Sequence, residues 1–521
     1  MPAPPRLLFC ALLAACFLLR LRYGQGLAFA DDFAYVNAAL DANERGWFGY
    51  LTGIADIYAN RVTIVLPLAV FQALFGNGEL SLKLLGLCFA VGALGVCFAF
   101  ARALGGEWAG WIATCLLAAS PQEIWMSTSL LPDSVLPFYC GMALYATFRA
   151  QERPLDRRGL GWYALAGFFV FCAFEARATS GVLLLPLGLW GLLQPRARLV
   201  RAALPGIAFA SILGGFWGLL GLASGGDYAI QLRQLVEDGT GTAWTGTGKP
   251  LQHLFWMVPI LRAAAELPAV LDGVAVKEIA RYAVNTYLGL HYYVVWPAAI
   301  YAAVRWRKLP AARLPLVAFA SLYLFFEFGS TSLTSYQPIW KYERFLTILG
   351  VPSSVLAGVV GAHFAPRLWP RGKVLLGTAA ALYVGLNGAL LEANTRFWGS
   401  PVPDIKIAFE RIRQSGCPET IYVVDEIWRM RGHVLLRFSP PRPHRLEVLP
   451  RGDLSGLRGA CVIVDGSYFN GIAPDQLDPA AFDARLFEPA RRPPTWKRLF
   501  VQKLGARDPS RSSTVEAIQL R

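Results

Sequence analysis

The sequence predicts an α-helical polytopic membrane protein of about eleven transmembrane helices, followed by a small α/β domain. Three observations carry this. Of 521 residues, 55% are apolar and only 16% charged, where an average soluble domain carries about 25% charge. Mean hydropathy is +0.41. Apolar runs of spanning length then recur along the first three quarters of the chain. The same numbers exclude a soluble enzyme and a disordered chain. The net charge of +14 fits the arginine-rich loops of membrane proteins better than nucleic-acid binding.

The first apolar run begins after Arg6 and reaches Tyr23. Ala28-Phe29-Ala30 resembles a signal-peptidase site and Leu13-Ala14-Ala15-Cys16 a lipoprotein box. With many spans to follow, a retained first helix is the better reading. Further runs fall near 80–101, 107–120, 130–148, 160–174, 179–194, 202–222, 286–304, 314–330, 345–365 and 374–391. Orientation follows the basic clusters Arg149/Arg153/Arg157/Arg158, Arg196/Arg198/Arg201, Arg305/Arg307/Lys308/Arg313 and Arg367/Arg371/Lys373. Successive clusters are separated by two spans, so all four can share the cytoplasmic side of an inner membrane. The N-terminus is then inside. Residues 24–79, 121–129, 223–285 and 331–344 lie outside, with everything after the last span. The run 62–75 would break this parity. It is too short to cross comfortably and reads as a helix at the outer interface.

Residues 1–395 thus form the transmembrane domain. Residues 400–505 change character, and they form the outer-face domain. Asp404–Gln414 has a helical apolar face, with Ile405, Ala408, Phe409 and Ile412. Residues 421–424 and 461–464 read as short buried strands, each ending at an acid, and His433–Phe438 as another. Residues 506–521 read as a frayed tail. Cys417 and Cys461 are the only cysteines outside the apolar runs. Neighbouring strands could pair them in a compartment that permits disulfides, the alternative being two buried thiols.

Chemistry concentrates on the outer face. Asp31-Asp32 follows the first span directly, and its plainer role is to cap a helix starting at Phe33. Asp133 opens the fourth span after Leu131-Pro132, again where a cap would stand. Glu175 and Arg177 sit at a hairpin tip, where a mutual ion pair is the simple account. Arg61 precedes the interfacial run. Tyr336, Lys341, Tyr342, Glu343 and Arg344 crowd the start of the tenth span, where an aromatic and basic belt is ordinary. None of these decides alone. Their convergence on one membrane face is the layout for an anionic lipid headgroup.

Several strings recur in a known order: the acid pair after the first span, the Arg61 helix, 75–83 (FGNGELSLK), Leu131-Pro132-Asp133-Ser134, 174–179 (FEARAT) and Tyr342-Glu343-Arg344-Phe345. The chain resembles the GT-C membrane glycosyltransferases over about residues 1–395. It is most similar to the bacterial relatives of the dolichyl-phosphate-mannose protein mannosyltransferases and to the lipid A aminoarabinose transferases. That family usually has Asp-Glu at Asp31-Asp32, often Thr-Asp at Pro132-Asp133, and Thr-Lys near Arg177. The last change keeps the charge but replaces a point charge by a planar fork.

The resemblance implies transfer of a sugar from a polyprenyl-phosphate carrier to an extracytoplasmic glycolipid, polysaccharide or protein. Asp31 would be the general base, with Asp32 or Asp133 orienting the acceptor. Arg61, Arg177, Arg344 and Tyr342 would hold the donor phosphate. A divalent metal is compatible with this many acids, but no ligand spacing demands one. Besides the donor and acceptor, the partners implied are membrane lipids, and not nucleic acid. Two other classes stay open: a lipid or glycan transporter, which expects charges at the bilayer midplane and internal repeats, and a non-catalytic scaffold, which would tolerate loss of Asp31.

Overall fold

The computed structural model describes residues 6–23, 27, 30–53, 61–224, 288–330, 339, 343–368, 373–397, 419–423, 426–437, 445–448, 461–465, 482–485 and 515–520. The chain opens with α1 (Arg6–Tyr23), α2 (Ala30–Arg45), α3 (Trp47–Thr52), α4 (Val62–Phe75) and α5 (Glu79–Gly105). There follow α6 (Glu107–Ala118), α7 (Pro121–Met126), α8 (Pro132–Gln151), α9 (Arg157–Ala176), α10 (Leu184–Leu192) and α11 (Arg198–Ser224). The last helices of the bundle are α12 (His291–Val304), α13 (Arg313–Phe328), α14 (Gly350–Leu368) and α15 (Lys373–Phe397). Short 3-10 segments stand at Ala178–Leu183, Pro310–Ala312 and Glu343–Leu349.

Five segments among the described residues are long and apolar enough to cross a bilayer: Glu79–Gly105, Arg157–Ala176, Arg198–Ala223, Pro310–Phe328 and Arg344–Phe364. The other expected spans map onto helices that do not meet the same measure of length, hydropathy and charge. Several of these helices carry the polar residues that face inward. Arg344–Phe364 is 83% buried within the protein and Arg198–Ala223 only 6%. The first is therefore the central helix, and the second lies at the rim. Small residues set the close contacts. Gly167 on α9 leaves no room for a Cβ against Ala208 of α11, the small-residue packing that lets membrane helices approach.

The basic clusters share one end of the bundle. Arg201 donates to the carbonyls of Gln151 at 3.3 Å and Arg153 at 3.1 Å, so the first two clusters touch. Tyr301 packs on Phe364 at 4.7 Å between ring centroids, which puts the 305–313 turn beside the C-terminal half of α14. Both α8 and α14 run from the opposite end, where Asp133 and Phe345 lie, towards the clusters. Helix α4, at 14 residues, is about 21 Å long and short of a bilayer core.

The described part of the C-terminal domain is a five-stranded sheet in the order β2-β1-β3-β5-β4. The strands are β1 (Thr420–Val423), β2 (Arg445–Val448), β3 (Cys461–Asp465), β4 (Phe482–Arg485) and β5 (Val515–Leu520). β1 is parallel to β2 and β3, while β5 is antiparallel to β3 and β4. Two expectations are corrected. His433–Phe438 is not a strand: residues 426–436 form helix α16 (Glu426–Leu436). A parallel β1–β2 pair needs a crossover of a dozen or more residues, which a helix supplies. The C-terminal residues expected to fray include β5, which pairs on both of its edges and is locked in by the sheet ladder. Cys461 is disulfide-bonded. Cys417, the other half of the expected pair, lies outside the described residues, as do Asp404–Gln414 and nearly all of the 223–285 stretch.

Candidate active site

Helix α2 begins at Ala30, three residues earlier than Phe33, so Asp31 and Asp32 are first-turn residues rather than caps before the helix. Their negative charge there complements the helix dipole. They differ in surroundings. Asp32 is fully buried, and its Oδ1 accepts the Leu130 N–H at 3.1 Å. Asp31 is half-buried. The loop carrying Leu130 is itself held close to α5, because Gly86 has no side chain to strike the Ser127 carbonyl.

Tyr35 stands one helical turn after Asp31, on the same face of α2. Its hydroxyl accepts a hydrogen bond from the Arg61 guanidinium, whose Cζ lies 5.5 Å from the Tyr35 ring centroid. Arg61 ends the approach to α4, and the next turn is pinned to the bundle. The Thr63 hydroxyl donates to the Cys172 carbonyl at 2.8 Å, and the Tyr139 hydroxyl donates to the Thr63 carbonyl at 3.1 Å.

Arg177 follows the last residue of α9 in an extended conformation, its N–H still bonded to the Ala173 carbonyl at 2.9 Å. Its Nη2 donates to Asp133 Oδ2 at 2.8 Å, with the Asp133 side chain fully buried and that of Arg177 13% exposed. The ion pair expected between Glu175 and Arg177 is therefore absent. Glu175 instead accepts the Trp217 indole N–H at 3.0 Å. Neighbouring residues at the end of a helix point to different sides, and Arg177 turns inward to α8. Its guanidinium lies 4.4 Å from the Phe345 ring centroid, and Arg344 lies 5.5 Å from the same ring. Burial lowers the Arg177 pKa, Asp133 raises it, and Arg344 and Arg61 lower it again. The guanidinium still remains charged at any ordinary pH. Three arginines therefore converge, with one carboxylate already paired among them. Arg177 Nη1 and Asp133 Oδ1 are buried without a hydrogen-bond partner. An unmade bond of this kind costs about 1–3 kcal/mol.

Tyr342 lies outside the described residues. Among the described residues, no three of His, Cys, Asp and Glu converge as metal ligands would. Sequence reading missed Glu123 on α7. Its side chain is buried, and Oε1 has no hydrogen-bond partner. Burial pushes its carboxyl up to about 8, Arg20 opposes the rise and Asp133 adds to it. It also missed Phe345, whose ring packs against two guanidinium groups. The adjacent Arg344-Phe345 pair was the available signal, since arginine stacks well on aromatic faces.

Residues 64–217 match the family model described as dolichyl-phosphate-mannose-protein mannosyltransferase. No curated protein sequence matches the chain. Among solved structures, the chain is similar to ArnT from Cupriavidus metallidurans bound to undecaprenyl phosphate. The TM-score is 0.61 and the identity 16%, over 98% of this chain and 97% of that one. The apo state of ArnT gives 0.60 over the same shares. AglB, the archaeal oligosaccharyltransferase from Archaeoglobus fulgidus in complex with an inhibitory peptide and a dolichol-phosphate, gives 0.54 at 14% identity. That match covers 83% of this chain and 64% of that one. The likeness to ArnT runs past residue 395, where the resemblance in sequence ended. The chain thus has the fold of ArnT, and its residues 64–217 match the dolichyl-phosphate-mannose-protein mannosyltransferase family model.

Proposed function

We propose that this protein transfers a sugar from a polyprenyl-phosphate carrier to an acceptor hydroxyl on the extracytoplasmic face. The observation that carries this reading is the convergence of Arg61, Arg177 and Arg344 at the end of the bundle where the acid-bearing turn of α2 begins. Cations hold a phosphate that gains charge as it leaves. Asp31 accepts the proton of the acceptor hydroxyl as its oxygen attacks the anomeric carbon. The bond from that carbon to the phosphate oxygen breaks, and the electron pair departs with the carrier. The arginines tighten on it as its charge grows.

Asp32 and Asp133 each hold a protein partner, Leu130 and Arg177. We assign them positioning roles: Asp32 fixes the start of α2, and Asp133 aims Arg177. With Nη2 bound to Asp133, Nη1 remains for a phosphate oxygen. Tyr342 is retained as a hydroxyl donor to the phosphate. ArnT carries undecaprenyl phosphate in its solved structure, which supports a carrier of that chemistry here. The acceptor is a glycolipid, a polysaccharide or a protein. In the test, membranes containing the protein receive labelled polyprenyl-phosphate sugars. Label should pass into an acceptor fraction and carrier phosphate should appear in equal amount. Label that only changes leaflet while staying on its carrier would make the protein a transporter.

The basic clusters lie inside and the C-terminal domain outside, where the Cys461 disulfide is at home. A cysteine replacing exposed Arg445 on β2 should react with an impermeant thiol reagent in intact cells, above the wild-type background. Reaction only after lysis would reverse the orientation.

A further inference from the structure

We infer that the C-terminal domain is a clamp that holds the acid-bearing helix α2 in register, with Arg437 as its positioning residue. The clamp itself stands on geometry alone, and its effect on turnover rests on the transferase reading. Arg437, just after α16, reaches three side chains of α2. Nη1 donates to Asn37 Oδ1 at 3.4 Å and Asp41 Oδ1 at 3.2 Å. Nη2 donates to Asp41 Oδ1 at 3.1 Å and pairs with Glu44 Oε1 at 2.6 Å. Earlier on α16, Arg431 lies over the Phe33 ring at 5.8 Å. Residues 33, 37, 41 and 44 fall at helical spacing on one face of α2. Two arginines of another domain therefore grip a stripe that starts beside Asp31-Asp32 and ends at the last turn.

Other holds on α2 are differently placed, and one of them is the Arg61 guanidinium on the Tyr35 hydroxyl. Asp32 ties the first turn to Leu130, and the Asn43 amide donates to the Ala69 carbonyl of α4 at 3.0 Å. Its buried face carries Phe33, Val36, Ala39 and Leu40, which resist withdrawal but allow sliding, since apolar contact has no direction. Arg437 adds directional contacts that set the axial position of the middle and last turns. A helix moves as a rod, so a slip at Asp41 is a slip at Asp31. Misplacement of about 1 Å at a reacting group can lower a rate about 100-fold. An isolated surface ion pair would not do this. A guanidinium shared among an amide and two carboxylates gives geometric selection.

The test uses the full chain in lipid nanodiscs, with hydrogen exchange and turnover of a polyprenyl-phosphate sugar as readouts. Arg437→Ala should raise exchange in residues 30–45 about 10-fold and lower turnover about 10-fold. The KM for the carrier should change much less than turnover, because Arg177 is held by Asp133 of α8 and not by α2. Arg437→Lys should be intermediate, and Arg437→Asp with Asp41→Arg should recover much of both. Arg445→Ala, whose partner Glu447 is within its own strand, should change neither. Unaltered exchange in 30–45 would overturn the clamp. So would opening of α9 together with α2, or a rise in carrier KM alone. If wild-type protein transfers no sugar, the transferase reading fails, and the exchange pattern still decides whether α2 is clamped.

Discussion

Replacing Asp31 by asparagine is expected to lower turnover by about 10²–10⁴-fold, the usual range for a lost general base. The substitution keeps the size of the side chain and removes its ability to accept a proton. Its structural cost is small. Asp31 sits in the first turn of α2, so a lost charge there weakens the helix by about 0.3–1 kcal/mol. Carrier affinity should hold or rise slightly, because a negative group near the phosphate has gone. Asp32→Asn should behave differently, since an asparagine oxygen can still accept the Leu130 N–H and the helix start stays anchored. The measurement is single-turnover transfer with carrier binding followed separately. Near-normal turnover in Asp31→Asn would remove the base from this position, and normal turnover in Asp31, Asp32 and Asp133 variants alike would end the mechanism.

Arg177→Ala has the next largest expected effect, on both stability and donor use. The residue is one half of a buried pair at 2.8 Å. Removing one partner of such a pair costs about 3–5 kcal/mol, because the other charge stays buried and uncompensated. Donor use should also fall, by the about 1.5–3 kcal/mol of a charge-assisted bond to phosphate, or about 10–150-fold. The two effects can be separated. In Arg177→Ala combined with Asp133→Asn no buried charge is left alone, so thermal stability should return while donor KM remains high. Arg177→Lys should keep the fold and lose part of the donor affinity, because an ammonium cannot bond Asp133 and a phosphate as a fork does. Recovery of donor affinity in the double variant would leave Arg177 only the role of neutralising Asp133.

The comparison of Glu175 with Asp133 shows where sequence reading stopped. Arg177 stands two residues from Glu175 and 44 from Asp133, and proximity in sequence favoured the wrong partner. The end of α9 decides it: the chain leaves the helix in an extended conformation, so successive side chains diverge. Helix α16 is a similar case. Its apolar residues alternate loosely enough to pass for a short strand, and only the parallel pairing of β1 with β2 requires a helix between them. The acid pair stood out in the sequence because it directly follows the first apolar run.

The sequence by itself determined the membrane class, and it predicted one end for the basic clusters and one face for the acids and arginines. These follow from transfer free energies, which each residue contributes locally and which add along a run. Only the tertiary structure decided which charges meet. Asp32 finds Leu130 98 residues away, Arg177 finds Asp133, and Arg437 reaches Asp41 across 396 residues. Such contacts depend on directional bonds between distant segments, whose geometry exists only once the helices have packed.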